Sequence, residues 1–156
     1  MTDQKTIVTA PEHRQEIVIT RTFDLPVDLL FMAYEDAEIV AQWMNTKVLK
    51  LESKQHGSYR FETPDPMGNV HGFNGTIHSF EKNASIVRTF EMENGGFPVQ
   101  LEYLTFEKLG DDKSKLTMHI VFQSIEARDR LLKLPFAMGI NMAHNRIQEI
   151  QSTSKQ

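Results

Sequence analysis

Residues 136–151 read FAMGINMAHNRIQEIQ, and they form the longest helical pattern in the chain. Apolar side chains recur there at the i, i+4, i+7 and i+11 spacing that places them on one side of an α-helix, at Phe136, Ile140, Ala143 and Ile147. The stretch follows a long run of strand patterns, so one long helix has a whole sheet to cover. An antiparallel sheet with a single long helix lays that helix across its apolar face. The stretch therefore predicts an α+β domain whose sheet curls around a C-terminal helix.

The segments before this helix have the pattern of an antiparallel meander. Residues 16–23 (EIVITRTF) are rich in β-branched side chains and predict the first strand. Two short helices are predicted next, one led by Pro26 and one capped by Asp36. Further strands follow, separated by Gly-, Asn- and Asp-containing turns, at residues 47–53, 58–63, 70–81, 85–92, 98–108 and 114–122. We therefore predict a helix-grip fold, with about six to seven curved antiparallel strands wrapped around the C-terminal helix.

Length and composition limit the classes of protein to consider. The 156 residues suffice for one domain with one core, and we expect a flexible leader over 1–15, the domain over 16–151 and a tail over 152–156. A net charge of −4, with no run of basic residues, argues against nucleic-acid binding. The absence of cysteine excludes disulfides, thiolate catalysis and iron–sulfur sites. No signal-peptide core and no membrane span are visible, so we expect a cytoplasmic protein.

Five segments, in order, resemble one branch of the START-like (helix-grip, SRPBCC) superfamily. That branch is named after the activator of the 90-kilodalton heat-shock chaperone's ATPase. The segments are RTFDLPVDLLFMAY (21–34), EIVAQWM (38–44), HGSYRFETPDPMGNVHGFNGTIHSF (56–80), FEKLGDDKSKLTMHIVFQS (106–124) and RDRLLKLPFAMGINMAHNRI (128–147). The resemblance implies the helix-grip fold, which hosts lipid binding, polyketide cyclisation and dehydration, and chaperone co-activation.

The closing helix both matches and departs from the pattern of that branch. Gly139 and Arg146 stand at the places that the resemblance leads us to expect. Pro135 and Ile140 stand where glycine and tryptophan are common, and Asn145 stands where aspartate is common. These departures fall on the helix that forms one wall of the pocket, so they bear on the identity of the ligand more than on the fold.

A sheet wrapped around one helix cannot close at both ends, so we expect a cavity between them near the two short helices. Aromatic and methionine side chains on predicted inward faces suit an adaptable lining, although core packing also explains each of them. The candidate ligand-binding residues are Trp43, Tyr59, Phe61, Phe73, Ile77, Phe90, Tyr103, Met118, Met138 and Met142.

Four polar side chains are candidates for the pocket. Arg21 and Arg88 interrupt the apolar alternation of their strands, where either could hold a ligand carboxylate or form a salt bridge. His71 and His119 could act as general bases if they reached the cavity. His119 lies between Met118 and Ile120, however, and we expect it to face away from the pocket.

The sequence contains no constellation typical of catalysis. The six histidines lack metal-site spacing, so we predict no metal and no cofactor. We expect a monomer or homodimer that binds a small hydrophobic molecule, lipid-like or aromatic and polyketide-like, without obvious catalysis. One alternative is a co-activator of a heat-shock chaperone ATPase that acts through a surface patch. The other is a cyclase or dehydratase, which would need His71, Tyr103 or Arg88 to point into the cavity.

Overall fold

A computed structural model describes residues 5–95 and 97–154. The described part of the chain contains eight strands and four helices, of which the two last helices follow the last strand. The strands are β1 (Ile7–Thr9), β2 (Glu16–Phe23), β3 (Lys47–Leu51), β4 (Ser58–Pro64), β5 (Val70–Glu81), β6 (Ser85–Met92), β7 (Gln100–Gly110) and β8 (Lys113–Val121). The helices are α1 (Val27–Glu35), α2 (Ala37–Trp43), α3 (Ile125–Leu132) and α4 (Phe136–Thr153).

The strands form one antiparallel sheet in the order β1-β2-β8-β7-β6-β5-β4-β3. Consecutive strands from β3 to β8 pair as a meander. The last strand of the meander, β8, also pairs with β2. The chain passes from β2 to the far edge of the sheet at β3 through α1 and α2. Both of these helices contact α4. The predicted α+β helix-grip architecture is confirmed, although the described sheet has eight strands where about six to seven were expected.

The C-terminal half of α4 is anchored firmly to the sheet and to the start of α1. The ring of His144 packs edge-on against Phe23 of β2, with ring centroids 5.6 Å apart. Gln148 accepts a hydrogen bond from the backbone nitrogen of Asp24 at 2.9 Å, and the side chain of Gln151 donates to the carbonyl of Leu29 at 2.7 Å. Because these contacts fix the C-terminal half of α4, the space that forms the candidate site lies between the sheet and the N-terminal half of the helix.

Both ends of the chain differ from the expected leader and tail. Within the segment expected as a leader, Ile7–Thr9 form β1 and pair with β2, Ile7 opposite Thr20. A three-residue strand is too short to show alternation, and contacts distant in sequence hold it, including a 3.0 Å hydrogen bond from the nitrogen of Thr6 to Asn141. At the other end α4 continues to Thr153, past the expected start of the tail.

Residues 1–4, 155 and 156 lie outside the described residues, as does Gly96 in the turn predicted between β6 and β7. Among the helices that the structure describes, none combines the length and the apolar character needed to cross a membrane.

Candidate ligand-binding cavity

A cavity of about 570 Å³ lies between the sheet and the N-terminal half of α4. Its sheet wall comes from the central strands β2, β6, β7 and β8. The apolar part of that wall consists of Ile19, Phe90, Met118 and Ile120. In β2 and β8 the inward positions alternate with half-exposed ones, as period-two strands require. The strand pattern therefore sets the apolar floor of the cavity.

The opposite wall comes from α4, from the end of α3 and from the connection between them. Leu131 and Leu134 precede the helix, and Phe136, Ile140 and Ala143 occupy its inner side. Gly139 also belongs to this wall, and a Cβ atom built there would meet nothing within 4 Å. Gly139 is also exposed, so the helix leaves room for a larger side chain at this edge of the cavity.

The end of the cavity near α1 and α2 is formed by Tyr34, Trp43 and Met44. The indole nitrogen of Trp43 donates to the carbonyl of Ala33 at 2.6 Å. The carbonyl of Trp43 itself accepts a 2.7 Å hydrogen bond from Nε of Arg146 on α4. These bonds fix the tryptophan and the arginine relative to each other.

A buried ion pair crosses the sheet wall. Arg88 on β6 and Glu102 on β7 stand directly opposite each other, and Nε of Arg88 donates to Glu102 at 2.9 Å. The other carboxylate oxygen of Glu102 accepts a 2.8 Å hydrogen bond from Gln100. The Arg88 guanidinium also lies 5.6 Å from the ring centre of Tyr34 and 5.4 Å from that of Tyr59, which is cation–π distance.

This environment shifts the protonation equilibria of the buried groups. Burial raises the pKa of the Tyr34 and Tyr59 hydroxyls, and the charge of Glu102 adds to that shift while Arg88 opposes it. Burial alone would lower the pKa of Arg88, but Tyr59 and Glu102 outweigh it and hold that pKa above its ordinary value. The two phenols therefore stay protonated and Arg88 stays charged at neutral pH.

Three of the ten apolar candidates predicted from sequence, Trp43, Phe90 and Met118, line the cavity. Four others belong to the surrounding core. Tyr59 lies under Arg88 and packs on Phe61, with ring centroids 5.0 Å apart, and Phe73 stacks behind Phe90 at 5.4 Å. Ile77 is buried in the same core. These four side chains support the wall without facing the cavity.

Tyr103, Met138 and Met142 are corrections to the sequence interpretation, because all three are exposed. Tyr103 alternates with Glu102 and Leu104, which take the inward positions of β7, so its ring lies on the outer face. The two methionines lie on the side of α4 opposite Phe136 and Ala143. Helical periodicity therefore turns them toward solvent.

Arg21 is buried, but it lies away from the cavity in a polar cluster with Thr6, Asn141 and His144. Its Nη1 atom lies 3.3 Å from both the Thr6 hydroxyl and the Asn141 side-chain oxygen. The Thr6 hydroxyl lies 2.7 Å from Nδ1 of His144. This cluster ties the N-terminal segment, β2 and α4 together, so the polar break in β2 has a structural role.

The two candidate histidines do not reach the cavity. His71 bonds Asp65 at 2.9 Å beside the β4–β5 turn. His119 bonds Glu16 at 3.1 Å and stacks on Tyr103 on the outer face, which is the orientation expected from the alternation of β8. Among the described residues, no group of three or more His, Asp or Glu side chains is placed to hold a metal ion.

Sequence reasoning identified Arg88 but missed the other polar members of the cavity, Glu102, Gln100 and Arg146. Glu102 alternates in step with the apolar Leu104 and Phe106, so the period of two in β7 already indicated that Glu102 faces inward. Arg146 follows Gly139 by seven residues, which places both on one side of α4. That spacing could have identified Arg146 as a cavity residue.

Comparison with known proteins places the chain in a described family. The sequence matches the family model described as Activator of Hsp90 ATPase homolog 1-like protein over residues 24–151. No curated protein matches it significantly.

Solved structures match the fold at low sequence identity. A protein from Rhodobacter sphaeroides has a TM-score of 0.85 at 16% identity, covering 96% of this chain and 99% of that one. A protein from Mycobacterium smegmatis has a TM-score of 0.83 at 20% identity, with 94% and 96% covered. One from Arthrobacter aurescens has 0.83 at 16% identity, with 94% and 91% covered. At these identities the likeness shows a common fold.

Proposed function

The chain belongs to the family of Activator of Hsp90 ATPase homolog 1-like proteins, within the START-like superfamily, and from this premise we propose that it binds a small hydrophobic molecule between the sheet and α4. One observation carries the proposal, the cavity of about 570 Å³ with mainly apolar walls. Its volume lies within the range of about 300–1,000 Å³ that is typical of pockets which bury a small organic ligand.

The apolar lining of the cavity supports a ligand, because the cavity is open to water beside α4, where Leu134 is 49% exposed. Its lining side chains therefore lack contacts on one side and leave apolar surface in contact with water. A ligand that filled this space would recover those contacts and stabilise the folded state by mass action.

The chemistry of the walls favours binding without conversion of the ligand. Among the described residues no histidine lines the cavity, and the buried tyrosine hydroxyls stay protonated. Of the three groups, any one of which a cyclase or dehydratase could use, only Arg88 reaches the wall, and it is paired with Glu102. A guanidinium in such a pair is a poor proton donor or acceptor at neutral pH.

We expect Gly139→Leu to abolish binding of a neutral apolar probe, N-phenyl-1-naphthylamine, while leaving the protein folded. Gly139 lies on the cavity wall, and the Cβ atom of a larger side chain there would meet no protein atom within 4 Å. Replacing a glycine inside a helix also stabilises it by about 0.5–1 kcal/mol. Fluorescence titration measures binding, and thermal unfolding measures stability.

Gly139→Ala is the matched control, since it gives a similar helix stabilisation but fills little of the cavity. It should therefore raise the melting temperature and still bind the probe. Wild-type binding by the leucine variant would contradict the proposed site. A wild-type protein that binds neither the probe nor any member of a panel of fatty acids, sterols, flavonoids and polyketides would contradict the function itself.

Co-activation of a chaperone ATPase is a second candidate, favoured by the description of the matched family. The measurement is stimulation of a purified Hsp90 ATPase by an excess of this protein. Stimulation that is equal for the wild type and Gly139→Leu would assign that activity to a surface separate from the cavity. No stimulation by either protein would exclude the candidate.

A further inference from the structure

The charges of the side chains that line the cavity do not sum to zero. Three charged side chains line it, Arg88, Glu102 and Arg146. Arg88 and Glu102 neutralise each other across their 2.9 Å hydrogen bond. Arg146 is half-buried and forms no ion pair with any residue that the structure describes. Two arginines against one glutamate leave the wall with a net charge of +1.

Both arginines are held through Nε, which leaves their outer nitrogens for another partner. Nε of Arg88 is used by Glu102, and Nε of Arg146 is used by the carbonyl of Trp43 at 2.7 Å. Within the described part of the chain, the terminal nitrogens of these two side chains make no hydrogen bond. Two such nitrogens form the planar fork that binds a carboxylate through parallel hydrogen bonds. Since each guanidinium is already fixed by the protein, little side-chain entropy is lost when a ligand binds.

We propose that the ligand is a monocarboxylate with an apolar body, and that Arg146 receives the carboxylate while the apolar walls receive the body. This inference rests on the proposed function of the same cavity. A single negative charge neutralises the wall, whereas a dianion would leave an excess charge in a mainly apolar site and a cation would meet Arg146. A neutral ligand would remove water from the Arg146 guanidinium without replacing the charge-assisted hydrogen bonds that it offers.

The test compares three ligands with one apolar chain and different head groups: dodecanoate, 1-dodecanol and dodecylamine. Each is titrated below its aggregation concentration, and displacement of N-phenyl-1-naphthylamine reports its affinity. We expect dodecanoate to bind at least tenfold more tightly than 1-dodecanol, and dodecylamine to bind most weakly. A parallel pair, 2-naphthoate and 2-naphthalenemethanol, shows whether the apolar body is an aliphatic chain or an aromatic ring system.

Two variants assign the preference to the cavity charges. Arg146→Gln should weaken dodecanoate binding about tenfold and leave 1-dodecanol unchanged. Lys133→Gln is the matched control, because it removes one positive charge from an exposed position outside the cavity wall, and it should change neither affinity. Glu102→Gln should act in the opposite direction, strengthening dodecanoate and weakening dodecylamine, because it raises the charge of the wall from +1 to +2. Thermal unfolding of each variant verifies that it is folded.

The outcomes separate this inference from the function on which it rests. Equal affinity for the acid and the alcohol would overturn the inference and leave the hydrophobic cavity as a binding site. An acid preference that persists in Arg146→Gln would overturn the assignment of Arg146. Failure of the probe and of all three ligands to bind would overturn the proposed function together with the inference.

Discussion

Replacing Arg88 with methionine is expected to lower the free energy of unfolding by about 3–5 kcal/mol, the usual cost of removing one partner of a buried ion pair. Glu102 is only 4% exposed, and in the variant Gln100 would be its one described side-chain donor. The variant would also lose the contacts of the guanidinium with the rings of Tyr34 and Tyr59. Unfolding in urea, followed by tryptophan fluorescence, measures the loss.

The double variant Arg88→Met with Glu102→Leu should recover most of that stability, because no buried charge is then left alone. Arg60→Met is the control on the outer face, where Arg60 pairs with Glu93 and Glu62. The Arg60 side chain is 40% exposed, so water can replace the lost partner and the change should be far smaller. If Arg88→Met cost no more than Arg60→Met, water would have to reach Glu102, and the wall would be wetter than its burial implies.

The ion pair also explains where sequence reasoning about the site stopped. In β7 the inward positions are Glu102, Leu104 and Phe106, but an aromatic at Tyr103 beside an acid at Glu102 favoured the opposite assignment. The neighbour across the sheet shows why the alternation of β7 holds despite the charge, since Arg88 on β6 stands opposite Glu102. A charged side chain can occupy an inward position when its partner occupies the adjacent one, and a single strand does not reveal that partner.

Elements with a strong period of their own were predictable, whereas those that depend on distant contacts were not. The inner side of α4 was visible in the spacing of Phe136, Ile140 and Ala143, and the Asp36 cap of α2 was visible in its residue type. By contrast, β1 spans three residues and depends on pairing with β2. Which inward side chains face the cavity, and which pack behind it, depends on how far α4 stands from each strand.

His144 supplies a second large effect, because it is a fully buried histidine beside a buried arginine. Its ring is 0% exposed, and Arg21 donates toward the same Thr6 hydroxyl that lies 2.7 Å from Nδ1. The hydroxyl can donate its proton to Nδ1 while it accepts from Arg21, and this arrangement suits a neutral ring. Burial, and to a smaller extent the positive charge of Arg21, lower the pKa of His144 to about 3.

This depressed pKa makes stability depend on pH, with a definite sign. In the unfolded chain His144 has its ordinary pKa of 6.5. As the pH falls below 6.5, the unfolded chain therefore binds a proton that folded His144 does not bind. Stability should therefore decrease on acidification, by about 1.4 kcal/mol per pH unit between the two pKa values.

In His144→Asn this part of the slope should vanish, because the asparagine can keep the bond to Thr6 but does not titrate. Replacing the exposed His78 with asparagine should leave the slope unchanged. Urea unfolding from pH 7 to pH 4.5 measures the free energy of unfolding of all three proteins. Between pH 7 and pH 4.5, the wild type should lose about 2–3 kcal/mol more of its free energy of unfolding than His144→Asn does. Parallel curves for these two proteins would mean that the buried ring accepts a proton without unfolding, which the adjacent Arg21 charge should prevent.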